Sequence, residues 1–342
     1  MTAPRAQAMD SREIETRIAA LHTCRESMME GFGRVIVGQR DVIDELLVTI
    51  FAGGHNLLEG VPGLAKTLMI HTLARLLSLD FKRIQFTPDL MPSDITGTNV
   101  IEEDHTTGKR ITVFVQGPVF THIVLADEIN RTPPKTQSAL LQAMQEKEVS
   151  AGGKTYSLAQ PFFVLATQNP IDQEGTYPLP EAQKDRFLLN TFISYPNLKE
   201  EEDIVERTTM NEDPDVEQVC DRDQLLGFQK LIRSIPVSRH VTGYAVDLAR
   251  ATRPPEQTSP AFVKEQLSWG AGPRASQELI LCAKAHAALS GRANVSCNDV
   301  RRHALPVLRH RVSLSFMAEA EGITADNVIQ RLLKEVPERA NA

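Results

Sequence analysis

The sequence predicts an α/β fold, in which a parallel sheet lies between helices, followed by a second, helical domain. Apolar segments alternate with segments of helical periodicity as far as residue 195. Five of the apolar segments are short and apolar on both faces, as expected for strands of a parallel sheet covered by helices on each side. Beyond residue 197 the strand signals stop, whereas helical periodicity continues to residue 335. We therefore expect a five-stranded parallel sheet and two domains.

The elements follow in chain order. The periodicity predicts helices at 11–32, 39–52 and 65–78, a strand ending at Leu58, and strands at 81–87, 119–126, 161–167 and 188–193. Helices are then predicted at 199–210, 221–234, 240–252, 274–290, 297–309 and 324–335, with a proline-rich loop at 253–262. We expect a disordered tail at residues 1–10, an α/β domain at 11–195, a linker at Tyr195, Pro196 and Asn197, and a helical domain at 199–342.

Composition and charge exclude several classes of protein. The 342 residues are 42% hydrophobic and 24% charged, which is typical of a folded protein with a sizeable core. The chain has 37 Lys and Arg against 44 Asp and Glu, so its formal net charge is −7. Such a balance argues against nucleic-acid binding over the whole surface, although a local basic groove stays possible.

The cysteines and the N-terminal segment indicate a cytoplasmic protein. Cys24, Cys220, Cys282 and Cys297 are far apart and form no CxxC pair or Cys/His grouping at zinc-ligand spacing, so we expect reduced, structural thiols. The nine histidines are also scattered, and no metal site is expected among them. The N-terminal segment has no apolar core of a signal peptide, and no apolar run reaches membrane-span length.

A phosphate-binding loop is predicted between the first strand and the following helix. It consists of Gly60, Val61, Pro62, Gly63, Leu64, Ala65, Lys66 and Thr67. The glycines let backbone N–H groups turn toward phosphate oxygens, and the helix N-terminus adds its positive dipole. We expect Lys66 to reach the β- and γ-phosphates and the Thr67 hydroxyl to bind Mg²⁺. Ala65 stands where the general pattern has glycine, and we expect it to have a negative, helical φ.

Two adjacent carboxylates end the strand predicted at 119–126. Asp127 and Glu128 would lie at the carboxyl end of a parallel strand, where ligands of such sheets bind. Asp127 can hold Mg²⁺ through water, and Glu128 can polarise an attacking water molecule. A helix cap is the structural alternative for such a pair.

The next strand ends in Thr167, Gln168 and Asn169, and Pro170 prevents its continuation. Asn169 would therefore lie beside Glu128. Its amide can both donate and accept hydrogen bonds, so it can position a water molecule or contact the γ-phosphate. A plain Asn-Pro turn is the alternative.

Four segments together resemble the MoxR family of AAA+ ATPases. They are GVPGLAKT at Gly60–Thr67, LADEINR at Leu125–Arg131, ATQNP at Ala166–Pro170 and YPLPEAQKDRF at Tyr177–Phe187. The resemblance covers nearly the whole chain and includes Ala65. It implies an AAA+ nucleotide-binding domain, a C-terminal all-helical lid domain, ATP and Mg²⁺ as ligands, and a ring of subunits, usually a hexamer.

The resemblance also implies roles for residues outside the loop. Arg186 would act as an arginine finger on ATP bound by a neighbouring subunit. Arg274, in the segment WGAGPR, would reach the γ-phosphate from the lid, although the family more often has GASPR there. Val37 and Gly38 would lie against the adenine base.

Two insertions correspond to those of the helix-2-insert clade to which the family belongs. They are residues 96–116 and the hairpin at 148–156, and both would face the pore of a ring. Gly152-Gly153 suits the hairpin turn. Lys154 or Tyr156 could grip a substrate there, and a plain exposed hairpin is the alternative.

This resemblance implies a chaperone-like ATPase that assembles or activates client proteins or inserts metal into them. A protein with a von Willebrand factor A domain would be its partner, and no nucleic acid and no direct membrane insertion are expected. Two alternatives stay open, namely a nucleic-acid-dependent motor and a switch that binds ATP without turning it over.

Overall fold

The computed structural model describes residues 11–103, 110–151, 153–170, 175–209 and 215–339 of the chain. These residues form two compact units. The α/β unit contains Glu30–Arg222 and Arg309–Arg311, and the helical unit contains the described parts of Met1–Met29, Asp223–Leu308 and Val312–Ala342. The tail predicted at residues 1–10 lies outside the described residues. Within the described ranges, no helix combines the length and the apolar character that a membrane span requires.

The strands up to Arg222 are β1 (Asn56–Glu59), β2 (Phe81–Gln85), β3 (Gly97–Glu103), β4 (Arg110–Gln116), β5 (Ile123–Asp127), β6 (Glu148–Ala151), β7 (Lys154–Ser157), β8 (Phe163–Gln168) and β9 (Leu189–Phe192). The helices before Arg222 are α1 (Ser11–Val35), α2 (Arg40–Ala52), α3 (Lys66–Leu76), α4 (Pro92–Thr96), α5 (Pro134–Glu146), α6 (Glu181–Lys184) and α7 (Leu198–Thr209), with a 3-10 turn at Ile129–Arg131.

The central sheet confirms the predicted five parallel strands. Its order is β2-β5-β8-β1-β9, and every neighbouring pair is parallel. Every residue of β5 is buried, as are Phe163–Thr167 of β8, which explains why these segments are apolar on both faces. All five strands therefore end at the same edge of the sheet.

One face of the sheet is covered by α5. Val124 and Val164 of the sheet belong to the same buried cluster as Leu140 and Met144 of α5, and Phe187 completes it from the segment before β9. Burying an apolar side chain of this size contributes about 1.5–3 kcal/mol to folding. The strand ends that carry polar residues are thus held by a packed core.

The two predicted insertions form antiparallel hairpins. β3 pairs with β4 from Gly97–Gln116 to Glu103–Arg110, and β6 pairs with β7. The ring of Tyr156 stacks on Phe114 at a centroid distance of 4.3 Å. Tyr156 is therefore engaged in packing between the hairpins, whereas Lys154 is exposed. Gly152, half of the predicted turn, lies outside the described residues.

The helical unit consists mainly of short helices. They are α8 (Arg222–Ser234), α9 (Arg239–Ala251), α10 (Ala261–Gln266), α11 (Pro273–Leu289), α12 (Cys297–Arg302), α13 (Ala304–Leu308), α14 (Phe316–Ala320) and α15 (Ala325–Glu335). A short antiparallel pair, β10 (Leu267–Trp269) with β11 (Ser313–Leu314), was not predicted from the sequence. Such a pair is too short to leave an alternating pattern.

The boundary between the units differs from the predicted one at residues 195–199. Backbone N–H groups of Val219 and Cys220 donate to the carbonyl of Leu76 at 2.8 and 3.1 Å, so the chain stays with the α/β unit until Arg222. At the other end, His22 Nδ1 lies 2.8 Å from the carbonyl oxygen of Leu289. Most of α1 thus belongs to the helical unit, because it contacts residues of that unit that lie far away along the chain.

Candidate functional site

The loop between β1 and α3 needs glycine at two positions. A Cβ on Gly60 would lie 2.8 Å from the carbonyl oxygen of Ile193, so a side chain there would collide with the backbone. Gly63 has φ +87°, in the left-handed region that favours glycine. The loop therefore turns sharply and passes close to β9, and it delivers Lys66 to the first position of α3.

Ala65 does not have the negative φ expected from the sequence. Its φ is +53° and its ψ is 21°, which is the left-handed helical conformation. The expectation was wrong because residue 65 precedes α3 as its N-cap, where the helical φ has not yet begun. For an L-residue with a Cβ this conformation costs about 1–2 kcal/mol. The loop therefore holds strain next to Lys66.

Ala65→Gly is expected to raise the stability of the nucleotide-free chain by up to about 1 kcal/mol, because glycine adopts a positive φ without the Cβ penalty. The midpoint of thermal unfolding measures this. Ala139→Gly within α5 is the matched control and should lower stability by about 1 kcal/mol, since its helix has no such strain. A lower midpoint for Ala65→Gly would contradict the strain.

Lys66 lies between the loop and the acid pair. Its Nζ donates to the carbonyl oxygen of Gly60 at 2.5 Å. Partial burial lowers the pKa of Lys66, and the charges of Asp127 and Glu128 oppose this shift. Burial, the larger effect, disfavours the charged ammonium group, and the two carboxylates favour it. A bound phosphate would add negative charge beside the ammonium group.

Thr167 of β8 holds both members of the acid pair. Its hydroxyl donates to Asp127 Oδ1 at 2.6 Å and accepts from the backbone N–H of Glu128 at 2.9 Å. Glu128 has φ 57° and ψ 49°, again left-handed. This conformation turns the chain at the end of β5, so that the buried Asp127 and the half-buried Glu128 both line the same cleft.

Three further residues contact the acid pair and were not predicted. Arg83 Nε donates to Asp127 Oδ2 at 3.0 Å, Gln85 Nε2 donates to Glu128 Oε2 at 3.1 Å, and Arg131 Nε lies 3.1 Å from the same oxygen. Arg83 and Gln85 are two apart on β2, so they lie on one face of this edge strand. Polar residues at alternate positions of β2 are the sequence signal that could have revealed Arg83 and Gln85.

A cleft of about 450 Å³ lies at this edge of the sheet. It is lined by Pro62, Gly63, Leu64, Ala65, Lys66, Thr67, Leu68, Arg83, Gln85, Asp127, Glu128 and Asn169. Three segments predicted independently from the sequence, the loop, the acid pair and Asn169, therefore meet around one space. Gly60 and Val61 belong to the same loop, just before these residues.

Four predicted residues outside the loop do not line this cleft. Arg186 follows α6, and its Nη1 donates to the carbonyl oxygen of Leu141 at 2.6 Å. Arg274 is in the first turn of α11 in the helical unit. Val37 and Gly38 lie between α1 and α2, and a Cβ on Gly38 would lie 2.4 Å from Glu200 Oε1.

Comparison with known proteins establishes the family. Residues 55–189 match the ATPase family associated with various cellular activities (AAA), and residues 260–332 match the AAA lid domain. Chaperone MoxR1 of Mycobacterium tuberculosis is 44% identical over 93% of this chain and 83% of its own length. The chain belongs to the MoxR family of AAA+ ATPases.

Other relatives agree with this assignment. This MoxR-family chain is 40% identical to the protein YeaC of Bacillus subtilis, over 92% of this chain and 95% of YeaC. Protein MoxR of Paracoccus denitrificans is 29% identical over 88% of this chain and 92% of its own length. A solved structure from Cytophaga hutchinsonii matches with a TM-score of 0.89 and 41% identity, covering 96% of this chain and 99% of that one.

The donor set of this MoxR-family cleft fits a nucleoside triphosphate with Mg²⁺. Thr67 offers a hydroxyl oxygen and Asp127 a carboxylate, and hard oxygen ligands of this kind suit Mg²⁺. The N-terminus of the 11-residue helix α3 opens onto the same cleft and favours negative charge. The cleft therefore contains groups that suit the triphosphate and groups that suit the metal ion.

Proposed function

We propose that this protein binds and hydrolyses ATP in the cleft at the carboxyl edge of its sheet. One observation carries the proposal: Lys66, Asp127, Glu128 and Asn169, which come from three separate segments, line a single cleft. A cation for the phosphates, a carboxylate for the metal and a second carboxylate for water are the parts that phosphoryl transfer to water requires.

Lys66 and the loop bind the triphosphate. The loop contributes backbone N–H groups and the dipole of α3, and Lys66 contributes its positive charge to the β- and γ-phosphates. Thr67 and Asp127 would hold Mg²⁺, the latter through water. When bound, the metal would neutralise the charge that develops on the phosphate oxygens.

Glu128 and Asn169 act on the attacking water. The Glu128 carboxylate accepts a proton from that water, and the amide of Asn169 orients it. Glu128 accepts hydrogen bonds from Gln85 and Arg131 in this structure, so its carboxylate is held in place before a substrate arrives. The strained backbone at Glu128 helps to fix this direction.

The active assembly is proposed to be a ring of six subunits, in which Arg186 acts on ATP bound by the neighbouring subunit. The position of Arg186 outside its own cleft supports a role in trans. Arg274 would complete the site from the lid, and Val37 and Gly38 would contact adenine.

The ring would remodel client proteins, as the name Chaperone MoxR1 of a relative suggests. Assembly, activation and metal insertion are the proposed kinds of client work, and a von Willebrand factor A-domain protein is the proposed partner.

The test is the specific ATPase activity of the purified full chain over a hundredfold range of protein concentration. Activity per milligram should rise with concentration, because each site is completed by a neighbour.

Lys66→Ala should lose about 3 kcal/mol of ATP affinity, or about 100-fold in Kd, because a charged contact to phosphate is removed. Lys154→Ala, an exposed lysine outside the cleft, is the matched control.

Three results would contradict this proposal. A fluorescent ATP analogue that binds Lys66→Ala with unchanged affinity would refute the phosphate-binding role of Lys66. Absence of hydrolysis at every concentration, together with tight ATP binding, would favour the switch. Strong stimulation by DNA with a steep salt dependence would favour the nucleic-acid motor.

A further inference from the structure

Three side chains that are distant in sequence meet in the helical unit. They are His240 near the start of α9, Cys297 at the first position of α12, and Glu338 in the segment after α15. Cys297 Sγ lies 3.3 Å from His240 Nε2, and Glu338 Oε2 lies 3.8 Å from the same nitrogen. One ligand atom from each residue lies within 4.8 Å of the others.

This set of donors has the chemistry of a zinc site. Thiolate, imidazole and carboxylate bind Zn²⁺ at about 2.0–2.3 Å, so ligand atoms of a tetrahedral site lie about 3.5 Å apart. The separations around His240 Nε2 are close to that value. We propose that His240, Cys297 and Glu338 bind one Zn²⁺ ion, with water in the fourth position.

Arg301 positions the carboxylate for this role. Its Nη2 lies 3.2 Å from Glu338 Oε1, while Oε2 is the oxygen that faces His240. The same guanidinium donates through Nε to the hydroxyl of Tyr244 at 2.9 Å. One oxygen of Glu338 is thus held by a cation and the other is directed to the metal position, as is common for groups behind metal ligands.

The Cys297 thiol must lose a proton when the metal binds. The pKa of Cys297 is raised to about 11, mainly by burial and then by the charge and hydrogen bond of Glu338, while the charge of Arg301 opposes the shift. The thiol therefore holds its proton at neutral pH in the metal-free protein. On binding, the S–H bond breaks, the zinc–sulfur bond forms, and the proton passes to solvent.

Zinc at this position would fasten the end of the described chain to the helical unit. Residues 336–339 already contact α9, because Arg339 Nε and Nη2 donate to the two carboxylate oxygens of Asp247 at 2.5 Å each. The ion would add bonds to α9 and α12. Because zinc would bind only the folded unit, it should raise the temperature of unfolding.

The test is a titration of the metal-stripped full chain with Co²⁺, which reports its ligands by absorption. One equivalent should produce a thiolate-to-cobalt band in the near ultraviolet and the visible bands of a tetrahedral ion, and Zn²⁺ should abolish both. Cys297→Ser should lose the thiolate band. Cys24→Ser, which changes a half-buried thiol outside the cluster, should keep it.

Glu338→Gln provides an independent variant, because the Glu338 side chain is 39% exposed and glutamine has nearly the same size, so the replacement should not impair folding. We expect at least about tenfold weaker Zn²⁺ binding, measured by competition with a chelating dye, and a smaller rise in unfolding temperature. Absence of the thiolate band at one equivalent would overturn the proposal. So would a band that persists in Cys297→Ser, or unchanged affinity in folded Glu338→Gln.

Discussion

Arg186→Ala is expected to keep the ATP affinity of the protein and to lower the rate of hydrolysis by about 10³- to 10⁵-fold. The affinity is kept and the rate is lost because of where the side chain lies. Arg186 does not line the cleft of its own chain, so it contributes little to binding there. In a ring, its guanidinium would stabilise the charge that develops on the γ-phosphate of the neighbouring site.

The contact with Leu141 fits this role. It uses one of the five N–H donors of the guanidinium and directs the half-buried side chain from the segment after α6. A neighbouring cation on the same segment, Lys184, pairs with Glu181. Lys184→Ala is therefore the matched control, since it removes a positive charge nearby without removing the proposed finger.

Mixing two inactive variants distinguishes a finger in trans from one in cis. A subunit with Arg186→Ala keeps its cleft, and a subunit with Lys66→Ala keeps its Arg186. In a mixed ring, some sites would combine an intact cleft with an intact Arg186, so part of the hydrolysis should return. Absence of any recovery at every mixing ratio would contradict a shared site.

The sheet and the polar residues that line the cleft could be predicted because each is encoded in a short stretch of sequence. β5 and β8 are apolar on both faces and end in polar residues, and parallel strands place such ends at one edge. Lys66, Asp127 and Asn169 therefore had to lie near one another once the sheet was assumed. Their meeting in one cleft bears out that argument.

Arg83 and the conformation of Ala65 could not be predicted in the same way. Arg83 reaches Asp127 only because β2 pairs with β5 in the register that places Gln85 opposite Asp127, and register is a tertiary property. The sign of φ at Ala65 depends on how the loop enters α3. The boundary at Arg222 likewise depends on contacts between segments distant in sequence.

Glu128→Gln is expected to bind ATP with native affinity and to hydrolyse it about 10²- to 10⁴-fold more slowly. Glutamine preserves the size of the side chain and the left-handed turn that presents it. It cannot accept a proton from water, so only this step is lost. Since Asp127, Lys66 and Thr67 are unchanged, nucleotide should bind and stay bound.

The measurement is single-turnover hydrolysis alongside ATP binding, both in the same preparation. Glu146→Gln is the matched control, because Glu146 pairs with Gln142 on the exposed side of α5 and does not line the cleft. A Glu128→Gln protein that hydrolyses ATP at close to the native rate would exclude Glu128 as the base. Retained ATP with no turnover would instead favour Glu128 as the proton acceptor, because the other groups that hold the nucleotide are intact.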